Sequence, residues 1–212
     1  MTVTIPINKI ELHPGSLITL NDLTWEQFEA FLEEKEANGI KTRVAYSQET
    51  LTIMSPLPAH ERPHRIISDI VKVLLDSQER DWEEFGSTTF RKKAKKVGLE
   101  PDTCFYIQNA QKMRSRMRID LTVDPPPDLA IEVDVTSKTT LDAYEALAVP
   151  ELWIYTEEKF TIQVFTDGLY VESSISPTFP NLPILELIPN LVNQVLTMGS
   201  SKMLRELRKK MS

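Results

Sequence analysis

Three consecutive prolines, followed by a strictly alternating segment, constrain the fold more than any other part of this chain. The prolines at 125–127 cannot continue a helix or pair inside a sheet, so they lead the chain stiffly into a new element. From 128 to 135 the side chains alternate with a period of two, which is the period of a β-strand. This strand places Leu129, Ile131, Val133 and Val135 on one face and Asp128, Ala130, Glu132 and Asp134 on the other.

The acidic face of this strand allows two interpretations. Same-face neighbours on a strand lie ~7 Å apart, so Glu132 and Asp134 form a ladder of carboxylates. With Lys138 four residues further on, such a ladder suits Mg²⁺, which prefers hard oxygen ligands. An antiparallel strand with one solvent-facing side gives the same pattern, and the spacing alone favours that second interpretation.

Length and composition limit the class of protein. A chain of 212 residues is long enough for one sizeable core and predicts one domain rather than two. The single cysteine, Cys104, excludes an internal disulfide framework and a cysteine-rich zinc site. Because no apolar run approaches ~18 residues, we expect no signal peptide, no membrane span and a cytoplasmic location.

The basic residues are concentrated in one segment, although the chain as a whole carries a net charge of −7. Contact with phosphates depends on local basic patches more than on the total charge. The segment from 91 to 118 holds only two acids, and it therefore predicts a nucleic-acid contact, with a solvated surface as the other interpretation. Its basic residues are Arg91, Lys92, Lys93, Lys95, Lys96, Lys112, Arg114, Arg116 and Arg118.

The hydrophobic patterning predicts interleaved strands and helices, and hence an α/β fold with a mixed central sheet flanked by helices. Thr24 to Gln27 forms a capping-box pattern that opens an N-terminal helix, and a β-hairpin follows it. We predict helices over 25–38, 62–80, 140–147 and from about 190, and strands over 41–46, 50–54, 85–91, 103–107, 129–135, 152–156 and 160–166.

One segment, His60-Glu61-Arg62-Pro63-His64, fits the HExxH pattern of zinc hydrolases. That chemistry requires both histidines one turn apart on an uninterrupted helix, and a proline inside a helix lacks the N–H and clashes with the preceding turn. We therefore expect Pro63 near the first helical position, with His60 and Glu61 before the helix and both histidines at the surface.

Two carboxylates on separate predicted strands are the remaining candidates for chemistry. Asp102 follows Pro101 at the mouth of one strand, and Glu132 lies in the middle of another. If these strands are neighbours, the two carboxylates meet and can hold a hydrated Mg²⁺, which activates water and neutralises charge on a phosphate. A nearby lysine would position the water or stabilise the developing charge.

Several segments together resemble the Uma2 family, also called DUF820, of the PD-(D/E)XK nuclease superfamily, in its cyanobacterial type. The resemblance covers roughly residues 20 to 180. It rests on four segments: the proline-rich approach to His60 and Glu61, the segment EPDTCFYI at 100–107, PDLAIEV at 127–133 with TSKT at 136–139, and VPELW at 149–153.

The resemblance implies a restriction-endonuclease-like fold and a metal-dependent endonuclease that hydrolyses DNA, with Mg²⁺ or Mn²⁺ as cofactor. It maps the metal-binding acids onto Asp102 and Glu132. The motif's lysine should stand two residues after Glu132, where this chain has Asp134, so Lys138 is the candidate for that role. Asp134 and Glu61 are possible additional acids.

Three further expectations follow. If Lys138 cannot reach the metal, the chain is instead a catalytically impaired nuclease-fold module that binds nucleic acid or a protein partner. Enzymes that cut both strands commonly work as homodimers, so we expect a homodimer. We divide the chain into an N-terminal extension at 1–23, the nuclease-like domain at 24–190 and a C-terminal helical tail at 191–212.

Overall fold

Two β-sheets and the helices packed against them form the protein in a computed structural model. The structure describes residues 9–56, 58–86, 88–133, 138–157 and 159–211, and for residues 58–61 and 139 it describes the backbone alone. Its strands are β1 (Leu17–Leu20), β2 (Arg43–Ser47), β3 (Thr50–Met54), β4 (Glu83–Phe85), β5 (Phe90–Lys92), β6 (Val97–Leu99), β7 (Thr103–Tyr106), β8 (Leu129–Val133), β9 (Glu151–Tyr155), β10 (Phe160–Thr166) and β11 (Leu169–Ser173).

The helices are interleaved with these strands, as the patterning predicted. They are α1 (Trp25–Ala37), α2 (Pro58–Ser77), α3 (Ala110–Met113), α4 (Lys138–Leu147), α5 (Ile184–Met198) and α6 (Ser200–Met211). The capping box at the start of α1 is confirmed: the Gln27 backbone N–H donates to the Thr24 hydroxyl, and the Thr24 backbone N–H donates to the Gln27 side chain. No helix in the described part of the chain is long and apolar enough to cross a membrane.

The six-stranded sheet has the order β11-β10-β9-β8-β7-β4 and is mixed. Its strands pair antiparallel except for β8 and β9, which are parallel. Parallel neighbours need a crossover connection, and α4 supplies it. The predicted mixed central sheet flanked by helices is therefore confirmed. The hairpin β2–β3 is also confirmed, and it belongs to a second, five-stranded sheet with the order β1-β3-β2-β6-β5.

The mixed sheet is covered on both faces. On one face, α2, α5 and α6 pack against side chains such as Ile131 and Trp153. On the other face, α4 and the second sheet enclose a separate core that includes Ala130 and Cys104. The outer face of the second sheet packs against α1. Glu132 shares the face of Ala130 because it lies two residues further along the strand, so it points between the two sheets.

Two predicted elements differ from the structure. The single strand expected over 85–91 is instead two strands: β4 pairs with β7 in the mixed sheet, and β5 pairs with β6 in the second sheet. The chain changes sheets at this point, where the Thr88 N–H donates to the Gly86 carbonyl in a tight turn. The C-terminal helical region begins at Ile184, directly after Pro183, rather than at about 190.

The close packing of α1 on the second sheet gives a stability prediction. A Cβ added at Gly98, on β6, would lie 2.4 Å from Cζ of Phe28, which is fully buried and stacked on Tyr46. We expect Gly98→Ala to lower the free energy of unfolding by about 1–3 kcal/mol, the usual cost of overpacking. The matched control is Gly86→Ala, because a Cβ there meets nothing within 4 Å. Denaturant unfolding measures the free energy of unfolding of both variants. Equal values for the two variants would contradict the prediction.

Candidate active site

Glu132 lies in the middle of β8, and β8 is buried along its whole length. Neighbouring strands pair with both of its edges, and both faces of the sheet are covered. The interpretation of this segment as a strand with a solvent-facing polar side is therefore wrong, because the mixed sheet leaves no free face here. Glu132 itself is only 5% exposed. An acid in such a position costs free energy unless its polar atoms have partners.

Asp102 lies beside Glu132 at one end of the neighbouring strand. Thr103 pairs with Ile131 in the antiparallel register of β7 and β8, so the next position places Asp102 opposite Glu132 on the same face. The two carboxyl groups therefore lie side by side, and the charge of Asp102 acts on Glu132. Asp102 Oδ2 also accepts the backbone N–H of Val133 at 2.9 Å. The structure thus brings together the two acids that lie thirty residues apart in the sequence.

Tyr144 and Arg43 complete the surroundings of the acid pair. The Tyr144 hydroxyl, on α4, donates to Glu132 Oε1. Arg43 Nε, at the start of β2, donates to Asp102 Oδ1 at 3.3 Å. The first residue belongs to the crossover helix and the second to the other sheet, so the pair lies where three layers of the fold meet.

The pKa of Glu132 lies well above its usual value. Burial is the largest cause, and the charge of Asp102 is the next. The hydrogen bond from Tyr144 and the charge of Arg43 act in the opposite direction without reversing the shift. Burial and the nearby Glu132 also raise the pKa of Tyr144 well above its usual value, so its hydroxyl keeps the proton that it donates. Without a bound cation, Glu132 therefore holds a proton well above the pH at which a solvated glutamate ionises.

An open cleft of about 710 Å³ leads to Asp102. Among the described side chains that line it, four are cationic (Lys35, Lys41, Arg43 and Arg65), whereas two are acidic, Glu100 and Asp102. Lys35 is paired with Glu100 at 2.8 Å. A second cavity of about 370 Å³ adjoins the cleft along α2 and shares Asp102 and Arg65 with it. The cleft is therefore positive on balance, although the chain is acidic overall.

Comparison with known proteins identifies the family. The family model Uma2, described as "Putative restriction endonuclease", matches residues 25–199. The chain belongs to the Uma2 family. Comparison with curated proteins gave no match. A solved structure described as a putative nuclease belonging to DUF820, from Anabaena variabilis ATCC 29413, is similar with a TM-score of 0.46 and 16% sequence identity, over 69% of this chain and 89% of that one.

The other acids predicted for this Uma2 site fall outside what the structure describes, and the lysine is exposed. Lys138 is exposed at the first residue of α4, six residues after Glu132. Asp134 lies outside the described residues, and Glu61 lies on α2 with its side chain outside them. The acid pair is thus the part of the predicted site that the described residues assemble.

The predicted basic surface divides into different environments. Arg91 lines a third cavity of about 680 Å³, which shares Lys35, Lys41 and Glu100 with the cleft. Lys93, Lys95 and Lys96 are exposed in and after a 3₁₀ turn that follows β5. Arg114 and Arg116, later in the segment, form ion pairs within the protein. Arg114 pairs with Asp81 and Glu83, and Arg116 pairs with Asp124.

The expectation for the HExxH segment is wrong. Helix α2 begins at Pro58, so Pro63 lies inside it and His60 and Glu61 belong to the helix. Pro58 occupies the first helical position, where a missing N–H costs least. His64 is only 7% exposed, not a surface residue, and it lines the cleft beside Asp102.

The acid pair fits a hydrated divalent ion of the hard type. Mg²⁺ keeps several waters and is usually held by one or two carboxylates, and Asp102 and Glu132 provide two adjacent carboxyl groups. Burial, and then the charge of Asp102, raise the pKa of Glu132, and a cation bound beside the two carboxyl groups would offset both effects. Among the side chains that the structure describes, no group of three His, Cys, Asp or Glu could hold a metal. Restriction-endonuclease-like proteins generally use divalent metals.

The pKa of Glu132 gives a pH prediction for the metal-free protein. The folded state holds a proton that the unfolded state loses near the usual glutamate pKa, so stability falls as pH rises above that value. The loss is at most about 1.4 kcal/mol per pH unit for one group, and it continues up to the raised pKa. We expect Glu132→Gln to remove this dependence, because an amide keeps a donor toward Asp102 and does not titrate. The free energy of unfolding of both proteins is measured by urea unfolding in EDTA between pH 4 and 8. Parallel pH profiles of that free energy would contradict the prediction.

Proposed function

We propose that this Uma2 protein is a metal-dependent endonuclease that hydrolyses phosphodiester bonds in DNA. The observation that carries the proposal is a buried carboxyl pair, Asp102 and Glu132, beside a cleft whose lining has more cationic than acidic side chains. Acids that bind a hard metal ion, next to cations that attract phosphate, are the arrangement that phosphoryl transfer requires.

In this proposal Asp102 and Glu132 hold Mg²⁺ or Mn²⁺. The bound ion would activate water and neutralise charge on the phosphate. The chain's own residues prepare the pair: the Val133 N–H fixes one oxygen of Asp102, and Tyr144 orients Glu132. Such partners of ligating carboxylates set their orientation and their basicity. Lys138, exposed and directly after the segment that follows β8, is the proposed residue for orienting the attacking water.

The lining of the cavities supports a path for the nucleic-acid backbone. Lys41 and Lys35 belong both to the cleft at Asp102 and to the neighbouring cavity that Arg91 and Arg118 line. Cationic side chains along adjoining cavities can follow successive phosphates of one strand. We therefore propose that the backbone runs from Arg91 past Lys41 to Asp102. The contributions of Lys92, Lys93, Lys95, Lys96, Arg114 and Arg116 stay predictions.

A second candidate function has one specific observation in its favour. Asp134 stands where the family's lysine is expected, and Lys138 is exposed at a helix start rather than in the buried pair. A chain that has lost the lysine would keep the cleft and bind nucleic acid or a protein partner without cutting. The homodimer and the cytoplasmic location also stay predictions.

We expect Asp102→Asn and Glu132→Gln each to reduce Mg²⁺-dependent cleavage of plasmid DNA by about 100-fold or more, because each removes a carboxylate that would hold the metal ion. Tyr144→Phe should reduce cleavage by about 10-fold, because it removes the donor that orients Glu132. Lys138→Ala should reduce cleavage as strongly as the two acid variants. The assay measures nicked and linear product over time.

The matched controls are Glu172→Gln and Lys159→Ala, because Lys159, directly before β10, pairs with Glu172 on β11 and both side chains are exposed. Full cleavage by a folded Asp102→Asn protein would refute the metal site. Salt-sensitive DNA binding by the wild type without cleavage in Mg²⁺ or Mn²⁺ would favour the binding module. Full cleavage by Lys138→Ala would show that Lys138 has no role in cleavage and would leave the proposed metal site unaffected.

The proposed backbone path predicts which lysines affect DNA binding. We expect Lys41→Gln to weaken binding of a DNA duplex several-fold and to reduce the salt slope of log K by about 1, as loss of one phosphate contact does. Lys95→Gln, in the exposed turn after β5, should change the affinity and the salt slope less than Lys41→Gln does. Fluorescence anisotropy between 50 and 200 mM salt measures both variants. A larger effect at Lys95 would move the interface to the basic segment.

A further inference from the structure

We propose that Arg43 acts as a built-in cation that competes with the divalent ion for Asp102, so that nucleic acid and metal bind cooperatively. A phosphate in the cleft would draw the guanidinium away from Asp102 and leave that carboxylate to the metal. The inference rests on the proposed function, since it concerns the same metal-binding acids and the same polyanionic substrate.

The contacts of Asp102 set up this competition. Its two oxygens are already engaged: Oδ2 accepts the Val133 N–H, and Oδ1 accepts Arg43 Nε. The backbone contact joins β7 and β8 and cannot move without opening the sheet. The arginine contact is a side-chain contact across the boundary between the two sheets. A divalent ion that bound Oδ1 would lie within a few ångströms of the guanidinium, and two cations so close together repel each other strongly.

Burial makes the competition strong. The side chains of Arg43 and Asp102 are only 16% and 8% exposed, so solvent screens their ion pair weakly. The same ion pair stabilises the acid pair before the metal arrives, because the charge of Arg43 partly offsets the repulsion between Asp102 and Glu132. Arg43 therefore holds the site together in the metal-free protein and opposes the metal that replaces it.

The cleft offers Arg43 another anion. Arg43 lines the cleft together with Lys41 and Arg65, where the proposed DNA backbone passes. A guanidinium binds a phosphate through two parallel N–H bonds, which compensates for the loss of its contact with Asp102. Binding of the phosphate thus favours binding of the metal. By linkage, the metal strengthens binding of the phosphate by the same factor, typically 5–150-fold.

The test measures Mn²⁺ binding rather than cleavage. Free Mn²⁺ is followed by electron paramagnetic resonance during titration of the full chain, with and without a 20-base-pair duplex carrying phosphorothioate linkages. For the wild type we expect the duplex to tighten Mn²⁺ binding by about 10-fold, within the usual range of such couplings. Arg43→Gln should bind Mn²⁺ about 10-fold more tightly without DNA, and the duplex should change its affinity by less than about 2-fold.

Two further variants make the result specific. Arg205→Gln removes an exposed arginine of α6 that donates a hydrogen bond to Ser201. This variant should have the Mn²⁺ affinity and the DNA coupling of the wild type. Arg43→Lys keeps a charge beside Asp102, so its Mn²⁺ affinity without DNA should stay close to the wild-type value. Thermal unfolding identifies variants that do not fold. If Arg43→Gln is among them, the wild-type coupling and Arg43→Lys decide the question.

The outcomes separate this inference from the proposed function. A wild type that binds Mn²⁺ and cleaves DNA, but whose Mn²⁺ affinity does not respond to the duplex, overturns the inference and leaves the nuclease intact. An Arg43→Gln protein with wild-type affinity and wild-type coupling does the same. A wild type that binds no Mn²⁺ in either condition overturns the metal site and the inference together.

Discussion

The contact between Asp102 and the edge of β8 is the constraint on which the site depends. One oxygen of this carboxylate accepts the Val133 N–H, and the other accepts Arg43 Nε. The first bond fixes where β7 begins relative to β8, and the second links a side chain of the second sheet to the acid pair. Burying a carboxylate without such partners would cost several kcal/mol. The packing of the two sheets therefore supplies the contacts that allow Asp102 to be buried.

The layers of the fold explain why the acids are both buried and reachable. Glu132 and Ala130 share a strand face that the second sheet and α4 cover, and this keeps the acid pair away from bulk water. Of the two acids of the pair, Asp102 is the one that lines the cleft beside α2. A polyanion would therefore meet Asp102 first and Glu132 only through it. The low dielectric around the pair strengthens each of its charge interactions.

The local patterns predicted much of this structure, and the differences arise from contacts distant in sequence. The alternation at 128–135 and the proline before Asp102 were sufficient to place Glu132 on a strand and Asp102 at the start of another, and β7 and β8 are neighbours. Nothing in the local pattern indicated that a second sheet covers β8, so a buried strand was taken for one with a solvent-facing side. In the sequence, Arg43 is an ordinary polar residue of a predicted hairpin. Its role depends on the contact with Asp102, which is 59 residues away in the sequence.

Tyr144 could have been found from the sequence. A helix between parallel strands must pack on their sheet, and Tyr144 follows Ala143 on the apolar face that does so. By contrast, the start of α2 could not be predicted. Both Pro58 and Pro63 can occupy the first position of a helix, and propensity alone does not choose between them.

The contribution of the second sheet to the site has a consequence for the order of folding. Contacts between residues far apart in sequence form late, because each must first overcome the entropy of closing a long loop. The acid pair, its arginine and its tyrosine come from β7, β8, β2 and α4. A fragment that spans only 100–155 contains both acids and lacks the arginine, so the nascent chain acquires this arrangement only after the two sheets have docked. Local collapse of any single segment cannot produce it.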